Sequence, residues 1–191
     1  MIDELLYAVV GTVQLANLGY DAQNCRVVPE GRPPADTGEW FLGVHQGADA
    51  SSSMNSLDES LGYQLTLTKR VNVPLDRVGD LELAVKIAST PGPNRQPSFN
   101  RRCRQLIDIL HMDWATLGSA NDLLAQWGPP TTAYGACEPA HFATLGEPRL
   151  EGPGWFLAAD GQGGGTDRVG LVATIHYEGC RRVQPLVTFA E

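Results

Sequence analysis

The sequence predicts an α+β domain, in which an antiparallel sheet of four or five strands has two or three helices packed against it. Two patterns carry this prediction. Apolar and polar residues alternate through 62–73, which is the period of a half-buried strand, whereas apolar residues recur at helical spacing in 2–16 and 99–110. The length of 191 residues suits a single domain that spans 1–191 and buries a full core.

The first predicted element is an amphipathic helix. Asp3 and Glu4 lie where the positive end of the helix dipole favours acidic residues, and Gly19 is a natural stop. The acidic residues and the lack of a basic start also argue against a signal peptide. The apolar face of this helix consists of Ile2, Leu5, Leu6, Val9, Val10, Val13 and Ala16.

Three strands are predicted next. The segment CRVVPE (25–30) forms a short strand, and the adjacent prolines of GRPPADTG (31–38) then interrupt the chain. EWFLGVHQ (39–46) is the second strand, and a polar loop at 47–56 separates it from the third. The third strand is long and antiparallel, with one face formed by Tyr63, Leu65, Leu67, Val71 and Val73.

Helices are predicted in the middle of the chain. Asp80 begins a short helix in DLELAVKIAST (80–90), which ends at the proline-rich segment 91–93. A second helix lies in SFNRRCRQLIDILHM (98–112), where Phe99, Cys103 and Leu106 recur at helical spacing. A third is predicted in NDLLAQW (121–127).

The last part of the chain predicts a hairpin. Residues 128–154 are rich in Pro and Gly without a clear period, and we interpret them as an irregular insertion. WFLAAD (155–160) and the apolar run from Arg168 flank the loop GQGGGTD (161–167), which is typical of two paired strands. Gly179 is a predicted bulge in the second strand.

Composition limits the classes of function. The formal net charge of -8 argues against a free-standing nucleic-acid binder, because neutralising phosphates requires a surplus of Lys and Arg. Four cysteines lie far apart and form no CxxC pair, so we expect reduced thiols in a cytosolic setting. No apolar run is long enough to predict a membrane span.

No motif predicts a catalytic, cofactor-binding or metal-binding residue. The loop GQGGG (161–165) matches neither phosphate-binding pattern, and a strand follows it instead of a helix. The four histidines are isolated, although His45 and His176 could lie on neighbouring strands and form an accidental metal site. Asp58 and Glu59 are adjacent and therefore do not share a strand face, so they are not expected to act as a catalytic pair.

Charged clusters predict a subunit interface. Short basic patches on an acidic chain suit contacts between unlike surfaces of identical copies, although a solvated helix face that carries Arg101, Arg104 and Asp108, opposite Cys103, Leu106 and Leu110, is the simpler interpretation. The polar loops at 47–56 and 161–167 are further candidates for interface or lumen elements. The predicted interface residues are Asp49, Asp58, Glu59, Lys69, Arg70, Arg101, Arg102 and Arg104.

The order of elements resembles that of a known family. An N-terminal helix, a short strand, the break RPPADTGEWFLGV, the long strand GYQLTLTKRV, central helices and a final strand pair resemble the tail terminator (tail completion) proteins of long-tailed bacteriophages. The resemblance covers roughly residues 1–110 and the last strand pair. Residues 128–154 depart from the family pattern and look like an addition.

The resemblance implies a structural role without catalysis. Such a protein forms a ring, usually of six subunits, that caps the tail tube, stops its polymerisation and meets the head-tail connector or neck proteins. An acidic lumen would let DNA pass without specific binding, because like charges release no counterions. The resemblance further implies assembly in the host cytoplasm and a final location in the virion, with no membrane partner and no cofactor.

Two other classes stay open on the sequence alone. One is a different neck, head-completion or minor tail protein built on a related sheet. The other is a small cytosolic enzyme or ligand-binding domain, whose site would be assembled from residues distant in sequence.

Overall fold

The computed structural model describes residues 2–28, 38–47, 58–110, 141–158 and 168–182. The predicted α+β class is confirmed. Two single 3-10 turns, Leu75–Arg77 and Pro93–Arg95, flank the second helix. The elements along the chain are α1 (Ile2–Leu15), β1 (Cys25–Val27), β2 (Trp40–Gln46), β3 (Asp58–Arg70), α2 (Leu81–Ser89), α3 (Phe99–Leu110), β4 (His141–Ala158) and β5 (Arg168–Arg182).

The five strands form one sheet in the order β1-β2-β3-β5-β4. The strands β2, β3, β5 and β4 pair antiparallel, as the sequence predicts. Strand β1 runs parallel to β2, so the sheet is mixed. The connection between these two strands has about a dozen residues, which is the length that a parallel pair requires.

Alternation along β3 determines which face of the sheet is buried. Tyr63, Leu65 and Leu67 are at most 1% exposed, while Gln64 and Thr66 between them are half-buried. The buried apolar side chains of α1, α2 and α3 belong to the same core cluster as Tyr63, Leu65 and Leu67. The three helices therefore pack on the face of the sheet that these three residues occupy. We call it the covered face. No helix of the described residues packs on the opposite face, which we call the open face.

The core lies between the covered face and the helices. Val9 and Val13 of α1, Ala84 of α2 and Cys103 and Leu106 of α3 are at most 1% exposed. They meet apolar side chains from β2, β3 and β5 in one continuous cluster. Burying a side chain such as leucine or valine contributes about 1.5–3 kcal/mol relative to leaving it in water, so this interface supplies most of the hydrophobic stabilisation.

The helix ends follow local chemistry. Asp80 caps α2 as predicted, because its carboxylate accepts the backbone N–H of Leu83 at 3.0 Å. Helix α1 ends at Leu15, earlier than the predicted stop at Gly19, and the chain then turns through left-handed residues at Asn17 (φ 55°) and Gly19 (φ 81°). Glycine adopts that conformation without strain.

Strand β4 corrects the prediction of an irregular insertion at 128–154. Residues 141–154 belong to β4, although the residues 111–140 that precede it lie outside the described ranges. The pairing with β5 shifts register between Leu145 and Arg149 and again between Glu151 and Gly154. Gly146, Pro148, Gly152 and Pro153 therefore lie in irregular stretches of an edge strand, where proline is tolerated, and not in a loop.

Three other predictions concern this half of the chain. The hairpin prediction is confirmed, since β4 and β5 pair antiparallel. The predicted bulge at Gly179 is wrong, because this residue keeps continuous register with Leu61 on β3 and Thr144 on β4. The helix predicted at 121–127 lies outside the described residues. So do residues 48–56 and 161–167, which make up most of the two predicted polar loops.

Candidate interaction site

The predicted interface residues do not form one surface. Asp49 lies outside the described residues, whereas Asp58 and Glu59 begin β3 and Lys69 and Arg70 end it. At about 3.3 Å per residue, the two ends of this strand are roughly 35–40 Å apart. The three predicted arginines at 101–104 all lie on α3. Of these residues, only Lys69 and Arg102 are brought together, and both lie close to the ring of Trp40, a residue that the sequence did not single out.

The centre of this site is Trp40, the first residue of β2. Its ring stacks on Phe99 with centroids 6.0 Å apart. Lys69 Nζ lies 4.7 Å from the Trp40 ring centroid, and the Arg102 guanidinium carbon lies 5.8 Å from it. Both distances are within the range of cation-π attraction. We call these four residues and Tyr20 the Trp40 cluster.

Strand register explains why Lys69 is in this cluster. Trp40 and Lys69 are direct cross-strand partners of β2 and β3, on the covered face that Leu65 and Leu67 also occupy. Lys69 is consequently only 9% exposed. Its ammonium lies 3.7 Å from the carboxylate of Glu39, so the charge is compensated within the chain. The charge of this lysine predicted a surface position, whereas the alternation of β3 already places it on the core side.

Arg102 is held in place by three groups. Its Nη1 donates to the carbonyl oxygen of Leu18 at 2.6 Å. Its guanidinium carbon lies 5.4 Å from the ring centroid of Tyr20 and is also near Trp40. Its Nε is buried without a hydrogen-bond partner. The side chain therefore has a fixed orientation and donors that its own chain does not satisfy.

A cavity of about 420 Å³ opens beside Arg102. Its wall comes from the connection between α1 and β1 at 18–24, from 38–40 and from 96–97. Burial raises the pKa of the Tyr20 phenol well above its usual value, although Arg102 opposes this effect. The Tyr20 hydroxyl therefore stays protonated, and like Arg102 Nε it is buried without a partner.

The other predicted arginines lie on the outside of α3. Arg101 and Arg104 are exposed, whereas Cys103 and Leu106 are buried, as the helical spacing predicts. A shallow groove of about 540 Å³ is lined by Arg101, Arg104 and three polar neighbours. Arg70 is exposed at the end of β3. These three arginines are therefore accessible on the surface of the subunit.

The open face carries two of the four histidines. His45 on β2 and His176 on β5 are both in register with Gln64 on β3, so one strand separates them and they are not on neighbouring strands. Each has its own partner: His45 Nε2 lies 3.0 Å from the hydroxyl of Thr66, and His176 Nε2 lies 3.1 Å from a carboxylate oxygen of Glu151. Burial lowers the pKa of His45, and His176 adds to this effect.

Within the described residues, no group of three or more His, Cys, Asp or Glu side chains could hold a metal ion. The two cysteines whose side chains are described, Cys25 and Cys103, are buried and free. Burial raises the pKa of each thiol to about 12, so neither is a thiolate nucleophile at neutral pH. No described helix is long and apolar enough to cross a membrane.

Apolar residues on the surface of α2 were also missed by the sequence reasoning. Leu81 is 64% exposed and Val85 is 50% exposed. They lie four residues apart and so share one side of the helix, while Ala84 and Ala88 face the core. At 3.6 residues per turn, Leu81 lies only about 20° from Ala88 around the helix, so sequence spacing places all four residues in one apolar stripe and does not reveal that Leu81 and Val85 are exposed.

Comparison with known proteins leaves the chain without an assigned family. No protein-family model matches it, and neither the curated proteins nor the solved structures provide a match.

Proposed function

We propose that this chain is a structural virion protein, a tail terminator whose copies form a ring that caps the tail tube and joins it to the head connector. The proposal rests on the element order that resembles this family and on the α+β fold. The ring is proposed to be hexameric. No residue is proposed to be catalytic, and the partners are other copies of the chain, the tail tube protein and neck proteins.

The observation that carries the proposal is the difference between the two ends of the sheet. The β1–β2 end carries the Arg102 cavity, whereas the β4 end carries the exposed apolar surface of α2. A closed ring of identical copies needs heterologous contacts, in which two different surfaces of the subunit meet. A subunit with chemically unlike ends supplies them.

Charge supports the same proposal. A chain with a formal net charge of -8 gives a ring with many carboxylates, so a lumen lined by some of them would not retain DNA. The open face presents short polar side chains such as Gln64, Thr66 and Thr174, which suit a surface that meets another protein or water.

The test is the mass of the purified chain in solution, followed by imaging. Light scattering should give about six times the chain mass of 20.6 kDa, either for the chain alone or after incubation with tail tubes, and negative-stain images should show rings. Tubes polymerised with the chain should be capped and of limited length. Tubes that grow without limit and carry no bound chain would contradict the proposal and favour a different virion or cytosolic protein.

A further inference from the structure

Among the described residues, Arg102 has no carboxylate partner within ion-pair distance. Two carboxylates line the same cavity, but both are engaged elsewhere: Glu39 faces Lys69 at 3.7 Å, and Asp21 accepts the backbone N–H groups of Gln23 and Asn24 at 2.8 Å and 3.1 Å. No described carboxylate forms an ion pair with Arg102. A half-buried, oriented guanidinium beside a cavity is suited to a carboxylate, because its planar fork matches the two oxygens.

The segment 75–85 at the other end of the sheet has the opposite character. Leu75, Leu81 and Val85 are each at least 50% exposed. Two exposed acidic residues, Asp76 and Glu82, lie among them, and neither forms an ion pair with a described residue. We call these five residues the acidic ridge. Exposed apolar side chains clustered with charged ones are typical of a protein interaction surface.

The ridge and the cavity of one chain lie at separate places on the covered side of the sheet. Trp155 on β4 donates its indole N–H to the carbonyl oxygen of Asp80 at 3.0 Å, which fixes the start of α2 at the β4 edge. The cavity lies beside Trp40 of β2, which is in the same cross-strand row as Trp155, and three strand spacings separate these two residues, or about 14 Å. Neither Asp76 nor Glu82 forms an ion pair with Arg102 of its own chain, so we assign such a pair to two different copies.

We propose that the acidic ridge of one copy docks at the Arg102 cavity of the next, with the carboxylate of Asp76 or Glu82 paired with the Arg102 guanidinium. This inference rests on the proposed ring, since it names the contact that would repeat around it. The apolar residues of the ridge supply buried area, and the ion pair fixes the register of one copy on the next. The contact is heterologous, so an open row of copies has a free ridge at one end and a free cavity at the other. These two surfaces meet when the ring closes.

The first test measures self-association of the full chain by sedimentation velocity over a range of concentrations. Arg102→Gln should weaken association about 100-fold and Arg102→Lys about 10-fold, because lysine keeps the charge but not the planar fork. The variant with both Leu81→Gln and Val85→Gln should weaken it about 10-fold without affecting folding, since both residues are exposed. Arg95→Gln, a nearby exposed arginine that does not line the cavity, is the matched control and should change nothing.

The second test mixes two defective variants. Arg102→Gln keeps an intact ridge, and the Leu81→Gln, Val85→Gln variant keeps an intact cavity, so an equimolar mixture should form one-to-one dimers that cannot extend. A double-mutant cycle between Arg102→Gln and either Asp76→Asn or Glu82→Gln should show coupling for one of the two acidic residues.

The outcomes separate this inference from the proposed function. Rings that form unchanged from the cavity and ridge variants would overturn the docking and leave the ring standing. A wild-type chain that stays monomeric at about 1 mM would also overturn the docking, since a specific contact of even weak affinity is populated there. In that case, the measurement of whether the chain caps tail tubes would test the proposed function separately. Loss of folding in Arg102→Gln, detected by circular dichroism, leaves the decision to the ridge variant.

Discussion

The two faces of strand β3 share one backbone but differ in what surrounds them. Leu65 is fully buried against the helices, whereas its neighbour Thr66 lies on the open face beside His45. Side chains of a strand alternate between faces, so one residue of displacement moves a side chain from the core to a polar surface. The covered face therefore holds the core of the described residues, whereas the open face combines half-buried polar side chains with the buried Phe41 and Thr68.

Truncating the covered face should have the largest effect. Leu65→Ala should lower the free energy of unfolding by about 2–5 kcal/mol, because it removes buried methyl groups and leaves a cavity. Gln64→Ala, the adjacent residue on the open face, should change it by less than about 0.5 kcal/mol. Chemical denaturation measures both. Equal losses for the two variants would contradict the assignment of the faces.

Close packing between β3 and β5 should give the next effect. A side-chain Cβ at Gly170 would lie 2.7 Å from the backbone oxygen of Lys69, so Gly170→Ala must push the two strands apart. We expect a loss of about 1–3 kcal/mol in the free energy of unfolding. Gly154→Ala on β4 is the control, since its nearest neighbour would lie at 3.8 Å. A neutral Gly170→Ala would mean that the register of these strands is different.

The cap of α2 should give a smaller effect that depends on pH. The N–H of Leu83 and then Arg77 lower the pKa of Asp80, so its folded pKa lies below its unfolded value of 3.8. Asp80→Ala should lower Tm by about 2 °C at neutral pH. Because the folded pKa is depressed, this difference should be full above pH 3.8 and vanish as pH falls through the folded pKa.

Asp76 supplies the control for this cap. It is exposed one turn earlier and caps no helix, so Asp76→Ala should leave the Tm of the monomer unchanged at neutral pH. A difference between the wild type and Asp80→Ala that persists at the lowest pH would contradict the charge-dependent part of the cap.

The smallest predicted effect is on the open face. Burial, with a contribution from His176, lowers the pKa of His45 below 6.5. A pH titration of His45 followed by NMR should give a pKa below 6.5, and the variant His176→Asn should raise this pKa slightly. Because the unfolded chain protonates first, stability should fall as pH drops through 6.5. A pKa of His45 at or above 6.5 would indicate that the open face is more solvated than described.

Local patterns in the sequence were sufficient to predict most elements. Alternation predicted the covered face of β3, and helical spacing predicted α1, α2 and α3, because both periods arise within one element. The parallel direction of β1 was not predictable, since it depends on how distant segments pair. The first part of β4, residues 141–154, was missed because Pro148 and Pro153 suggest a loop, whereas a strand at the edge of a sheet tolerates them in bulges.

The candidate site was only partly predictable. The sequence grouped Arg101, Arg102 and Arg104 as one basic cluster, but the helix turns Arg102 toward Trp40 and leaves the other two exposed. Arg102 lies three residues after the buried Phe99 and therefore on the same side of the helix. This spacing could have predicted that Arg102 turns toward the core. The role of Trp40 was not visible, because it depends on residues from β2, β3 and α3 meeting in space.

The central claim is that copies of this chain form a ring through unlike ends of the subunit. Cryo-electron microscopy of intact particles that contain the chain tests it most directly, because it locates the chain and resolves the contact between neighbouring copies. The account predicts a ring at the head-proximal end of the tail tube, with the acidic ridge of each copy against Arg102 of the next. A particle in which that position is formed by another protein, and this chain is absent from it, would contradict the account.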